Sequence, residues 1–236
     1  MSRGLGDVYK RQDVIRAFAD AAADARRLGF DGVEIHGAHG YLIDQFFWEG
    51  TNRREDEYGG SLENRVRFAA DIVAAVRDAA GPEFPILLRW SQWKQQDYSA
   101  RLVENPAELE RFLVPLCDAG VDIFHCSTRR FWEPEFEDSA LNLAGWVKKV
   151  TGKPTITVGS VGLAADFIPE PGEDAIFSES ETAGLDDLIN RMEADEFDLV
   201  AVGRAIIANP EWANMVNEGR GSELRAFEKE MLMSLA

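Results

Sequence analysis

A formal net charge of −17 over 236 residues argues against nucleic acid or an anionic membrane as a partner, because both carry the same sign. At 45% hydrophobic content the chain can bury a real core, yet no apolar run approaches the length that spans a bilayer. Two cysteines, Cys117 and Cys126, are too few for a disulfide framework, and with no signal-peptide pattern at the start the expected compartment is the cytoplasm.

Residues 1–12, MSRGLGDVYKRQ, show no helical or strand period. The run Asp7 to Gln12 looks like translated sequencing adapter, so residues 1–12 are set aside as a non-native artefact and the fold is read from Asp13 onward. Val14, Phe18, Ala21, Ala22, Ala25 and Leu28 recur at three and four, one face of an amphipathic helix closed by Gly29. A strand is expected at 31–36. A long polar loop, Thr51 to Gly60, leads to Ser61, which caps a helix burying Leu62, Val66, Ala69, Ile72, Val73 and Val76. Phe84 to Leu88 reads as a strand ending in Arg89. Asn105-Pro106 opens a helix that Gly120 stops.

The alternation continues. A strand at Val121 to Cys126 precedes a helix at 140–150, and a strand at Pro154 to Val158 precedes Gly159-Ser160. Residues 164–181 read as an acidic surface loop. Leu185, Leu188, Ile189 and Met192 mark a helix, Asp198 to Val202 a strand before Gly203-Arg204, Asn209-Pro210 a short helix, and residues 222–235 a closing helix. Strands alternating with helices imply a parallel sheet. A doubly wound sheet and a (β/α) barrel both fit, although no Gly-x-Gly-x-x-Gly follows any strand, and a barrel needs three more strands than the five seen.

The chemistry concentrates in His36-Gly37-Ala38-His39-Gly40-Tyr41, expected where the first strand ends and a loop begins, since parallel α/β folds bind ligands at that end. Two imidazoles three residues apart, separated by small residues, can face one ligand, and a phenol beside them can donate a proton. Such a set suits a substrate that gains electrons at carbon and negative charge on oxygen. His-x-x-His could instead be half of a metal site with His125 and Cys126, but no familiar ligand spacing supports it, and no metal is expected.

His36 to His39 followed by Tyr41-Leu42-Ile43-x-Gln45-Phe46, the block Thr51-Asn52-x-Arg54-x-Asp56-x-Tyr58-Gly59-Gly60-Ser61-Leu62-x-Asn64-Arg65, Arg89 near a strand end, Gly159-Ser160, and Gly203-Arg204 before Asn209-Pro210 together resemble the Old Yellow Enzyme family of flavin-dependent ene-reductases. The resemblance implies a TIM barrel holding FMN at the carboxyl ends of its strands. Residues 13–236 would then be the C-terminal part of a single FMN-binding domain, strands four to eight with their helices, with strands one to three missing. It implies that His36 and His39 bind the carbonyl or nitro oxygen of the substrate and that Tyr41 protonates its α-carbon. Arg89 would lie beside the flavin pyrimidine edge, and Gly159, Ser160, Gly203 and Arg204 would cradle the phosphate. NAD(P)H is the implied reductant and a small electrophilic alkene or nitro compound the implied substrate, with homo-oligomers allowed. Trp132 is a candidate wall of the substrate pocket. Two rival readings are a catalytically inactive piece that self-associates and a non-flavin barrel that holds a phosphorylated metabolite on the same glycines.

Overall fold

The computed structural model describes residues 8–164 and 180–233. Helix α1, Val8–Arg27, leads into strand β1, Val33–His39, and the short helix α2, Asp44–Phe47. Helix α3, Leu62–Ala80, precedes β2, Ile86–Lys94; α4, Pro106–Ala119, precedes β3, Ile123–Ser127; α5, Leu143–Thr151, precedes β4, Thr155–Val158. Helix α6, Asp186–Glu193, precedes β5, Leu199–Val200, and the short helices α7, Arg204–Ala208, and α8, Trp212–Asn217, follow. The caps form as their sequences demand. Ser61 Oγ accepts from the Asn64 N–H, and the Asn105 side chain accepts from the Glu108 N–H with Pro106 opening the helix.

All strand pairs are parallel and the order is β1-β2-β3-β4-β5. Neighbours in sequence are therefore neighbours in space, with no reversal of strand order. A doubly wound sheet needs such a reversal; a barrel segment has none. The longer helices lean on one another in chain order, α1 on α3, α3 on α4 and α4 on α5. Strand alternation then splits the sheet into two unlike faces. Ile35, Leu88, Trp90, Phe124 and Cys126 are buried within the hydrophobic core that also includes Val66, Ile72 and Val76 of α3 and Leu109, Phe112 and Leu116 of α4. On the opposite face Leu87, Ile123 and Ile156 are only partly covered, and Leu199 is exposed.

Several expected boundaries shift. The first helix reaches back to Val8, into the stretch set aside as non-native, and Arg11 is buried with its guanidinium 4.4 Å from the Tyr58 ring centroid. Leu28, expected on the buried face of that helix, is exposed just past its end. The strand expected at 31–36 runs on to His39, and the strand expected to stop at Arg89 runs on to Lys94, because Gly37 pairs with Trp90 and His39 with Lys94. No closing helix forms within 222–233. Phe227 exchanges two backbone hydrogen bonds with Ser180 in an antiparallel bridge, which takes the groups a helix would need and leaves 3₁₀ turns at Gly221–Glu223 and Lys229–Leu232. The expected acidic loop lies almost wholly outside the described residues.

Among the described residues β1 and β5 are each paired on one side only, and the face opposite the helices carries apolar side chains without a covering layer. Unpaired strand edges recruit further chains. Residues 1–236 alone should self-associate and bind a hydrophobic dye, as size-exclusion chromatography with light scattering and dye fluorescence would show. A sharp monomer peak without dye binding would count against it.

Candidate active site

Parallel pairing sets one row across the sheet: His36 opposite Arg89, Arg89 opposite His125, His125 opposite Ile156. All four project from the face that the helices leave open. His125 Nδ1 lies 2.7 Å from Glu34 Oε2, two positions before His36 on the same face. Cys126, its neighbour in sequence, points the other way, is buried, and has its thiol pushed well above the usual range by that burial. His125 and Cys126 therefore cannot converge on one metal with the histidine pair.

His36 and His39 are both strand residues, not loop residues. Their ring centroids are 5.3 Å apart, and the Tyr41 ring lies 5.4 Å from His36. The cluster expected from sequence does assemble, with Tyr41 exposed at its rim. His39 is the most constrained member. Its backbone is left-handed, φ 62°, its ring stacks on Trp93 at 4.4 Å, and its Nε2 lies 2.8 Å from Ser127 Oγ. Trp93 Nε1 donates to the Ser127 carbonyl at 3.1 Å, and Arg89 reaches the same Ser127 hydroxyl at 3.4 Å. Burial first and the nearby Arg89 second pull the His39 pKa down to about 3. His36 is lowered for the same two reasons, although much of its surface is open. Both imidazoles are thus held neutral, and each ring keeps one N–H to donate.

A cavity of about 310 Å³ opens beside His39 at the carboxyl ends of the strands, lined by Arg89, Trp93, Ser127, Gly159, Ser160, Gly203 and Arg204 among others. All five residues expected to hold a cofactor face it. Arg89 enters from the middle of β2, not its end, and its Nε is buried without a hydrogen-bond partner among the described residues. Gly159 has φ 154°, and a Cβ there would lie 2.7 Å from Thr128 Oγ1, so only glycine fits the turn. Arg204 begins α7 with its guanidinium 5.9 Å from the Phe227 ring centroid. Trp132 does not line this cavity; it packs edge-on against Phe131 at 5.2 Å and borders a separate hollow. The aromatic wall is Trp93, which sequence reading missed because it ended the strand too early. The period-two series Arg89, Ser91, Trp93 was the available signal.

A family model described as the NADH:flavin oxidoreductase / NADH oxidase family matches residues 8–176. The chain is 37% identical over 223 residues to the NADH oxidase of Thermoanaerobacter brockii, covering 91% of this chain and 30% of that protein. It is 32% identical over 234 residues to the cinnamate reductase of Clostridium sporogenes, covering 91% of this chain and 32% of that protein. Among solved structures it superposes on the old yellow enzyme homologue of Zymomonas mobilis with a TM-score of 0.72 at 22% identity, which shows the fold; that match covers 98% of this chain and 57% of the other. The chain therefore spans about a third of those two curated relatives and little more than half of that structure.

The depressed His39 pKa has a sign that can be checked. The unfolded chain would bind a proton near pH 6.5 that the folded chain refuses until about pH 3, so His39 withdraws stability as pH falls through that window. Urea unfolding at pH 7.5 and pH 5 should show a larger loss for the wild type than for His39→Asn. Equal losses would mean that His39 titrates normally.

Proposed function

The chain belongs to the NADH:flavin oxidoreductase / NADH oxidase family, the Old Yellow Enzymes, and from that membership we propose that it serves FMN-dependent reduction of activated C=C bonds at the expense of NAD(P)H. In this reading β1 to β5 correspond to strands four to eight of the family's barrel. The carrying observation is the cavity itself. It gathers His39 from β1, Arg89 from β2, Gly159-Ser160 after β4 and Gly203-Arg204 after β5 around one space.

The lining fits an anionic flavin. Arg89 offers a permanent cation whose buried Nε lacks an acceptor among the described residues, suited to the electron-rich pyrimidine edge. Gly159 lets the backbone approach a phosphate closely, among the described residues no atom beyond Gly203 and its chain neighbours lies within 4 Å of where a Gly203 Cβ would sit, and Arg204 supplies a guanidinium matched to phosphate oxygens. FMN, when bound, supplies the hydride that adds to the β-carbon of the alkene. His36 and His39 then donate to the substrate oxygen as it gains charge. They do so as neutral imidazoles, and losing one donor of this kind costs about 3 kcal/mol of barrier. To reach the substrate with Nε2, His39 exchanges its contact with Ser127 for one with the substrate. Tyr41, beside His36 and open to solvent, delivers the proton to the α-carbon. Trp93 walls the space and keeps the His39 ring in plane.

Two measurements test this reading. In protein completed with strands one to three, fluorescence titration should show tighter binding of FMN than of riboflavin, and Arg204→Ala should remove that preference. Equal affinities in the wild type would take the phosphate out of the site. In the same completed protein loaded with FMN, His36→Ala with His39→Ala should slow enone turnover about a hundredfold or more while FMN stays bound. Parental turnover by the double variant would end the assignment of the histidine pair.

A further inference from the structure

Asp44 and Lys94 form an ion pair at 2.8 Å, both side chains fully buried. Burial lowers the Lys94 pKa, while it pushes the Asp44 carboxyl up to about 6 against the opposing pull of Lys94 and the Gly40 N–H. A pair this deep loses by desolvation roughly what it gains by attraction, so stability is a poor account of its presence.

What the pair touches is more informative. His39 and Gly40 are consecutive left-handed residues, φ 62° and 80°. That conformation is costly for a histidine and persists only where its surroundings impose it. Here each amide is captured by a side chain. The His39 N–H donates to Ser91 Oγ at 3.0 Å, and the Gly40 N–H donates to Asp44 Oδ2 at 2.6 Å. Lys94 Nζ ties the two captures together, donating to Asp44 Oδ1 at 2.8 Å and to the Ser91 carbonyl at 2.9 Å. Ser91 Oγ in turn donates to the Trp93 carbonyl at 2.8 Å, and the Trp93 ring is the surface on which His39 stacks. Lys94 is also the register partner of His39, across the irregularity that begins at Gly37. The amides of both left-handed residues thus run to Asp44 or to the Ser91 that Lys94 holds, while the Tyr41 N–H closes the turn on the Ala38 carbonyl at 3.2 Å and Gln45 Nε2 donates to the Gly40 carbonyl at 2.9 Å.

We propose that the buried Asp44–Lys94 pair is a positioning element: it locks the His39–Gly40 turn in its left-handed form and so fixes where the His39 imidazole lies. The proposal rests on the reading of His39 as a substrate-binding group, but the readouts that decide it involve neither flavin nor turnover. In histidine-labelled protein, NMR reports the His39 ring and hydrogen exchange reports the Gly40 amide. Lys94→Met should raise Gly40 exchange about tenfold or more and move the His39 ring signals, while Ile72 in α3 and Leu113 in α4 keep their protection. The paired variant Asp44→Asn with Lys94→Met removes both charges at similar volume. It should fold, keep an acceptor for Gly40, and still release the His39 ring from its single environment. Unchanged ring signals in the paired variant would overturn the proposal. So would an equal loss of protection across α3 and α4, or failure of the paired variant to fold, because the pair would then be a stabilising element. If the ring moves but enone turnover in FMN-loaded protein does not, the positioning stands and the role assigned to His39 falls.

Discussion

Side-chain alternation along five parallel strands governs everything else in this molecule. Because a strand shows its residues to opposite sides in turn, one register fixes two surfaces at once. The apolar set packs under α3, α4 and α5, and the same pairing carries His36, Arg89 and His125 into a single row on the other side. A slip of one residue in β2 would put Trp90 into the open face and Arg89 under α4. The cost of burying that guanidinium without a partner protects the register of the functional face as firmly as the core does.

Much of the fold was legible because its signals are local. Asn105-Pro106 before a periodic apolar run, and Ser61 before another, announce helices that the structure contains. The alternation of elements announced the parallel sheet. What escaped was non-local. The reading stopped β2 at Arg89 because Trp90 to Lys94 mix a charge, polar residues and two tryptophans, which look like a loop in isolation. They form a strand because His39 and Gly37 of β1 offer partners. Likewise residues 222–233 have enough helical propensity to suggest a helix, and lose it to the bridge between Phe227 and Ser180. Pairing that reaches across tens of residues overrides propensity and leaves no mark in a window of the sequence.

The site shows the same division. The pair His36 and His39, Tyr41, Arg89 and both glycine pairs stand out as residue types, and the structure gathers them around neighbouring space. Their supporting partners are invisible to motif reading. Ser127 is a commonplace serine until it is found under His39 Nε2, and Asp44 and Lys94 are 50 residues apart in a chain rich in both charges.

Charge balance explains why the site carries these partners. Across the sheet row, Arg89 is a permanent cation and Glu34 is a carboxylate pulled down by its hydrogen bond to His125 and by Arg89 despite its partial burial. With Glu34 bonded to His125, its charge is directed toward that ring, and Arg89 keeps its own for the cavity it lines. The two imidazoles nearest the cavity are held neutral by burial and by that same cation. A protonated His39 beside Arg89 would attract any anion and distinguish little among them. A neutral one donates a hydrogen bond whose worth grows only as charge builds on the acceptor. In the proposed function, placing the fixed charge on arginine and the adjustable donation on histidine would separate holding an anionic group from responding to one that develops, the division of labour that differential stabilisation of a transition state requires.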